Sequence, residues 1–588
     1  MSSHPPEDGN YTFRAAFDSD EDLRKFGPNS LSIFTLMLYL RIEDPDEFAV
    51  NAITEGPDDK KVDFCHIDEQ ERRIIIGQSY LAREWTRQSA PSNKASDLAS
   101  AVAWFLSASE DLIPSHLVDK AREIRRSIQS HSITRVELLF IHNCNESVNV
   151  DKELKAVADA ARDIIVSMAQ PGQEPIIVSY KEIGLNEIED LYRARESEIL
   201  VDDIIEVPLT EYIREQADEW RAILASVPAE WIKYLYKQHG DRLFSANYRD
   251  YLGYASKNTN INFQINQTAT SEPRNFWVYN NGITALTHQI NLSTPPTIRG
   301  ISIINGAQTS GALGDTTEPS AQQAKVLIRI VECENPELID KIIRYNNTQN
   351  EIKPADRRSN DATQRRLRAD FEQYGITYVH RRTASRAPRN SITASSIAPA
   401  LCAFHGDPQT AYRNSRDIFN DDAIYQRVFP NNLRVEHIFL IKTLSIALDS
   451  IKEGLKIRHA NQTTTQIESQ EYEVLKYSAS KHFLFYIIGS LSEQLMGRRI
   501  SDRFEWKCRR DVIVPNNISM IRSWIEVLQA ILPQLATIIA RRPGDPFYDV
   551  PRSSDQSRLV STELIALIAS LQSQLVSQFS MLRDRTTI

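Results

Sequence analysis

The chain predicts a multidomain protein of α/β and α+β class that closes with a helical C-terminal region. Three observations predict it. At 588 residues it is too long for one ordinary hydrophobic core. Up to about residue 205, strand-like apolar runs alternate with helical ones, the pattern of one compact α/β layer. After about residue 435 the apolar residues keep helical spacing almost throughout. The divisions this gives are 1–205, 206–434 and 435–588.

The first region opens with SLSIFTLMLYLRI, a buried helix with Ser30 at its cap, and DEFAVNAI, a short second helix. VDFCHID and RRIIIGQSY read as two strands joined by the polar turn DEQE. KASDLASAVAWFLS and HLVDKAREIRRSIQ follow as helices, RVELLFIHN as a strand, DKELKAVADAARDIIVSMA as an amphipathic helix and PIIVSY as a last strand. From about Glu206, TEYIREQADEWRAILASV and AEWIKYLYKQ carry helical character. Strand-like pieces lie at INFQI, FWVYNNGITALTHQI, IRGISIING and KVLIRIVE, before ENPELIDKIIRYNN returns to helix. Near the end Val560, Leu564, Leu567, Leu571, Leu575 and Phe579 form an apolar stripe that needs a partner face.

Composition is that of a globular protein, 41% hydrophobic and 25% charged, with mean hydropathy −0.39. A net charge of −10 and a pI near 5.8 exclude a uniformly basic coat and leave room for a local basic groove. Cys65, Cys144, Cys333, Cys402 and Cys508 lie far apart with no CxxC, against a zinc site or a disulfide framework. The opening MSSHPPEDGNYTF has no signal-peptide pattern, and the longest apolar runs are shorter than the ~20 residues of a membrane helix. A cytoplasmic protein with no membrane partner is the expectation.

Residues 56–85, GPDDKKVDFCHIDEQERRIIIGQSYLAREW, carry one candidate for chemistry. Metal-dependent cleavage of a phosphodiester needs oxygen ligands for Mg²⁺ and a cation near the attacking water or leaving oxygen. An economical layout puts Asp at the start of one strand and an acid-or-Gln, any residue, Lys at the end of the next. Asp63 opens the first strand, and on the second Ile74, Ile76, Gln78 and Tyr80 share a face. Glu43, Asp44, Asp46 and Glu47 offer further ligands, and Asp63 with Glu47 is the pair expected to hold Mg²⁺. With its flanking elements this region resembles the PD-(D/E)XK nuclease core, whose catalytic places fall to Asp63, Gln78 and Tyr80. Tyr80 departs from the motif, because a phenol is neutral at pH 7. Lys60, Lys61, Arg83 or Lys181 is left to supply the charge. The other reading keeps the fold with a dead site, Asp63 only capping or turning the chain.

Five linked blocks fill residues 240–380: GDRLFSANYRDYLG, NFWVYNNGITAL, ISIINGAQTSGAL, KVLIRIVE and IIRYNNTQNEIKPADRRSNDATQRRLRADFEQYGITYVHRR. In this order and spacing they resemble the abortive infection phage resistance (AIPR) family over roughly residues 205–400, which implies a role in bacterial defence. The residues themselves read as follows. Asn280-Asn281-Gly282 between two apolar runs suits a tight hairpin. SIINGAQTSGAL reads as strand, glycine turn and helix, whose first amides, with Asn305, Gln308, Thr309 and Ser310, suit an anion. It is not a P-loop, since no Lys follows the glycine at the required place. Asn346, Asn347, Gln349 and Asn350 gather at a helix end, either to meet adenine edges or to close the helix.

Charge adds a further signal. Arg357, Arg358, Arg365, Arg366, Arg368, Arg381 and Arg382 are interleaved with Tyr374, Tyr378 and His380, the makeup of a nucleic-acid groove. Arg242 and Arg249 could join them. A solvated helix face with pairs such as Asp361–Arg365 is the plain alternative. The expectation is therefore a defence protein that binds nucleic acid, DNA before RNA, and cuts it with Mg²⁺ if the first region is live. Self-association through the C-terminal stripe and partner proteins from a defence operon belong to the same reading. Two other readings stay open: a non-catalytic sensor or adaptor with a degenerate nuclease domain, and a protein that binds or hydrolyses a nucleotide at the Asn305-Gly306 turn.

Overall fold

A computed structural model gives the fold. It describes residues 11–588 apart from 41, 43, 55–60, 84, 86–88, 169–171, 195–196, 248–264, 266–267, 316–322, 347–360, 380–390, 416 and 516. Arg249, Asn347, Gln349, Asn350, Arg357, Arg358, Arg381, Arg382, Glu43, Lys60 and most of INFQI therefore lie outside the described residues.

The N-terminal body is a sheet between two helical layers. Strands β1 (Phe64–Asp68), β2 (Arg73–Tyr80), β3 (Arg135–His142) and β4 (Ile177–Ile183) stand in that order, β1 antiparallel to β2 and the rest parallel. Helices α1 (Ser30–Leu40) and α2 (Pro45–Ala52) precede them. α3 (Leu98–Leu106) and α4 (Ser115–Gln129) link β2 to β3, and α5 (Val148–Met168) links β3 to β4. α6 (Leu185–Arg193) follows β4. Every residue of β3 is buried because helices cover both faces, which is why RVELLFIHN reads as a nearly continuous apolar run. Ile74, Ile76, Leu138 and Phe140 pack towards α3, α4 and α5. Phe64, Ile75, Leu139 and Ile141 pack towards α1, α2 and α6.

The central body is a mixed sheet. Its strands are β5 (Val201–Glu206), β6 (Tyr212–Ala217), β7 (Trp220–Pro228), β8 (Ile283–Thr287), β9 (Gln289–Asn291), β10 (Thr297–Asn305) and β11 (Lys325–Cys333). The spatial order is β5-β10-β8-β11-β7-β6, with β9 beside β10 and only β8–β11 parallel. One face, with Val227, Ile328 and Ile330, is covered by α7 (Ala229–His239) and α8 (Ala307–Asp315). The other carries Leu286, Ile304 and Val331 under α9 (Pro336–Asn346) and is otherwise more open.

The helical body has one continuous core running from Leu367 to Leu582. It begins with α10 (Ala362–Glu372) and the short parallel pair β12 (Thr377–Val379) and β13 (Ser391–Thr393). Its centre is α12 (Val435–Ala460), flanked by α11 (Ala394–Phe404), α13 (Gln466–Leu475) and α15 (Ile518–Ile539), with α14 (Ser480–Ser490) packed on α11. α16 (Ser554–Ser570) and α17 (Val576–Arg585) close the chain. Val560, Leu564 and Phe579 of the apolar stripe are buried in this core, and Leu567 and Leu575 pack against it. The stripe thus finds a partner face within its own chain.

Two expectations are corrected. TEYIREQADEWRAILASV is not helical but forms the β6–β7 hairpin around Asp218 and Glu219. Ile223, Ala225 and Val227 alternate into the core, and nine register pairs with β11 outweigh the helix preference of its Ala, Glu and Arg residues. FWVYNNGITALTHQI is not a tight hairpin either: Phe276–Tyr279 is one helical turn and Ile283–Thr287 a central strand. β8 takes its neighbours from β10 and β11, so the Asn-Gly loop is an entry into the sheet rather than a reversal.

All five cysteines are buried free thiols. Among the described residues no helix is long and apolar enough to cross a membrane.

Candidate functional site

Strand alternation sends Gln78 and Tyr80 to the face of Ile74 and Ile76, where Gln78 is buried and Tyr80 half-buried. The Asp63 carboxylate goes elsewhere. It accepts from the Ser79 backbone N–H at 2.6 Å and from the Ser79 hydroxyl at 2.8 Å, and Ser79 lies on the opposite side of the strand. The acids of α2 are also engaged. Asp44 caps that helix through the Glu47 N–H and meets Lys442 Nζ at 2.8 Å. Burial opposes the Asp44 charge, yet the Lys442 ammonium holds its carboxyl well below the usual range. Glu47 meets Lys481 Nζ at 2.9 Å, and Asp46 is ion-paired with Lys25. Of the cations considered for the missing lysine, Lys181 meets Glu187 at 2.6 Å and Arg83 is exposed.

The acids expected to ligate Mg²⁺ are each engaged by protein groups. Asp63 is taken up by Ser79, Asp44 by Lys442, and Glu47 shares Lys481 with Asp449. Among the described residues no group of three or more His, Cys, Asp or Glu is placed to hold a metal.

In the central body two sequence motifs become one structure. Gly282 and Gly306 both have positive φ, +83° and +92°. A Cβ on Gly306 would sit 2.8 Å from the Gly282 carbonyl oxygen, and one on Gly282 2.6 Å from that of Leu327. Only glycine lets the two loops approach so closely. Asn280 ties them: its side-chain oxygen accepts from Gly282 N–H at 2.8 Å and its amide donates to Thr309 Oγ1 at 2.9 Å. Thr309 and Ser310 are buried in the first turn of α8, and Ser310 Oγ donates to the Gly306 carbonyl, so both are structural. Gln308 is half-buried at the same turn.

Across the sheet from this turn, Asn305 at the end of β10 and Asn346 at the end of α9 are brought together. The Asn305 amide donates to the Asn346 carbonyl, and the Asn346 amide caps Ile342 O at 2.8 Å. The side-chain oxygen of Asn346 accepts from Arg329 Nη2, which also donates to Thr284 Oγ1 at 3.1 Å. Arg329 lies on β11 in register with Thr284 on β8, near the middle of the sheet, and is exposed. Sequence reasoning did not single it out. The signal was there: in KVLIRIVE, Val326, Ile328 and Ile330 are buried, so period two puts Arg329 on the other face.

The arginines of α10 belong to the helical body, where α10 packs on β12 and α12. Arg365 is exposed. Arg368 is exposed and meets the exposed Glu372 at 3.4 Å, a solvent-screened pair. Arg366 is internal: it bonds Leu433 O at 2.8 Å, Asn431 O at 3.3 Å and Asp370 at 3.2 Å. Tyr378 is buried, stacked on Phe371 and donating to Gln364, and Tyr374 meets Glu436, so these rings do not offer a stacking platform. Arg242 lies at the joint between the first two bodies, bonded to Leu200 O at 3.1 Å and 3.4 Å from Asp190.

A family model described as AIPR protein matches residues 244–539, half of the chain. No curated protein and no solved structure matches.

Proposed function

The chain belongs to the AIPR family and so to phage defence by abortive infection, and from that premise we propose that it recognises nucleic acid on the open face of its central sheet. The N-terminal α/β body then has a supporting, non-catalytic role. One observation carries this reading: the exposed Arg329 guanidinium stands in mid-sheet, aimed by Asn346 and Thr284, beside the amide of Asn305. A guanidinium whose fork is already oriented loses little freedom on meeting a phosphate. Arg365 and Arg368, exposed on α10, add charge that an acidic body otherwise lacks. The spent acids around Asp63 support the non-catalytic part.

The test is an electrophoretic binding assay of the full chain on duplex DNA and on RNA of the same sequence, with Arg329→Met beside the parent. The expected result is at least about a tenfold loss of affinity, some 1.4 kcal/mol, with an unchanged melting temperature. Equal affinity of the two proteins would remove Arg329 from the interface and the reading with it.

A further inference from the structure

A cavity of about 850 Å³ lies at the seam between the N-terminal body and the helical body, walled by α2, α4 and α12. Its volume falls in the range of small-molecule pockets, which run to roughly 1,000 Å³. Six lysines line it: Lys25, Lys120, Lys442, Lys452, Lys456 and Lys476. Three of them are paired with acids: Lys25 with Asp46 and, across the seam, Lys442 with Asp44 and Lys476 with Asp119 at 2.7 Å. The other three are not balanced in this way. Lys452 Nζ donates to the Asn51 side-chain oxygen at 2.8 Å, and Lys456 Nζ to the carbonyls of Val50 and Ile53. All three acceptors are neutral. Lys120 shares one carboxylate with Arg552: its Nζ meets Glu123 Oε2 at 3.6 Å while Arg552 meets Oε1 at 2.6 Å.

An ammonium has three N–H donors. Lys452 spends one and Lys456 two on these acceptors, which leaves donors to face a ligand. Seven carboxylates also line the cavity: Asp44, Asp46, Asp119 and Glu123 are paired as described, Asp449 shares Lys481 with Glu47, Asp22 is half-buried and Glu453 is exposed, while His116 lies on α4. Phe439, Ile446 and Ile392 supply apolar wall in the same cavity.

We propose that this seam cavity is a binding site for a phosphate-bearing small molecule of nucleotide size, its phosphates held by Lys120, Lys452 and Lys456. The ligand would be gripped by α2 and α4 on one side and α12 on the other, and so would report its presence to both bodies. Burial, with repulsion from Lys120, pulls Lys452 down to about 7 and Lys456 down to about 8. A bound polyphosphate would restore their protons, so binding takes up protons and tightens as pH falls from about 8.5 to about 6.5.

The experiment is isothermal titration of the full chain with ATP and, separately, with inorganic pyrophosphate, at both pH values and in two buffers of different ionisation enthalpy. Binding at the lower pH with net proton uptake, at least tenfold weaker at the higher pH, is expected. The Lys452→Met/Lys456→Met double variant should lose it, and Lys452→Met alone should weaken it if the double variant melts low. Arg329→Met should bind like the parent, which separates this site from the sheet face. Tighter binding of ATP than of pyrophosphate assigns the pocket to nucleotides, and equal affinity assigns it to the polyphosphate alone. No heat with either probe up to millimolar concentration, or full binding by both lysine variants, overturns the proposal.

Discussion

Asp63 is held by Ser79 through two hydrogen bonds, one to a backbone N–H, and these define what its loss should do. Asp63→Ala should cost about 1–3 kcal/mol in urea denaturation, because it strips the Ser79 N–H of its acceptor. Added Mn²⁺ should leave the melting temperature of the parent unchanged; a rise that Asp63→Ala abolishes would restore a metal site. The face shared by Gln78 and Tyr80 was legible from period two. That Asp63 would turn to Ser79, and that Lys442 and Lys481 would come from some four hundred residues away to meet Asp44 and Glu47, was not. Those are tertiary contacts with no local signature. The lysines of the seam make a pH prediction. Lys452, with its folded value near 7, keeps its proton in both states below that pH. Between about 7 and about 10 only the unfolded chain stays protonated, so folding stability rises with pH across that window, by at most about 1.4 kcal/mol per unit. Denaturation titrations at pH 7 and 9 should show the rise, and Lys452→Met should flatten it.

The Asn-Gly loops show how a single backbone requirement links elements distant in sequence. Gly306→Ala places a Cβ against the Gly282 carbonyl at positive φ. It should cost about 1–3 kcal/mol or more in thermal or urea denaturation, while alanine at the open Gly375 turn, where no atom lies within 4 Å of the Cβ position, carries only the φ strain. Most elements were legible: the helix, hairpin, helix, strand, helix, strand order of the first body, the β10–α8 turn, and the helices of the last body. The β6–β7 hairpin was misread because its Glu, Ala and Arg residues suit helices, and only the long β11 partner makes them a ribbon. The 276–290 stretch was misread because Asn-Gly suits a hairpin turn, whereas here Asn280 folds back on Gly282 to start a strand between two others. On α10, neighbours in sequence differ in use. Arg366 holds backbone carbonyls and its truncation should destabilise the helical body, whereas Arg365 and Arg368 face solvent. A charge-reversed Arg365→Glu/Arg368→Glu variant should melt within about 1 kcal/mol of the parent and bind nucleic acid more weakly.

The three bodies are joined by charge. At the seam between first and last, Arg552 meets Glu123 at 2.6 Å, stacks over the Tyr548 ring and reaches Tyr412, whose hydroxyl donates to Glu69. Glu123 is 1% exposed, so removing Arg552 leaves a buried carboxylate with weaker compensation. Arg552→Met should cost about 3–5 kcal/mol in denaturation, far more than loss of an exposed pair such as Arg558–Asp555. Such spending of acids and bases between bodies also explains why the sequence alone could not choose between a live and a dead first domain. The same carboxylates serve either as ligands or as partners for lysines, and no local sequence pattern separates the two uses. The most direct test of recognition by the central sheet is the salt dependence of fluorescence anisotropy on labelled duplex DNA, measured in EDTA. Binding should persist without metal, weaken steeply with salt, and lose about one phosphate's worth of slope in Arg329→Met. No binding at low salt in EDTA, or an identical slope and affinity in Arg329→Met, would contradict it.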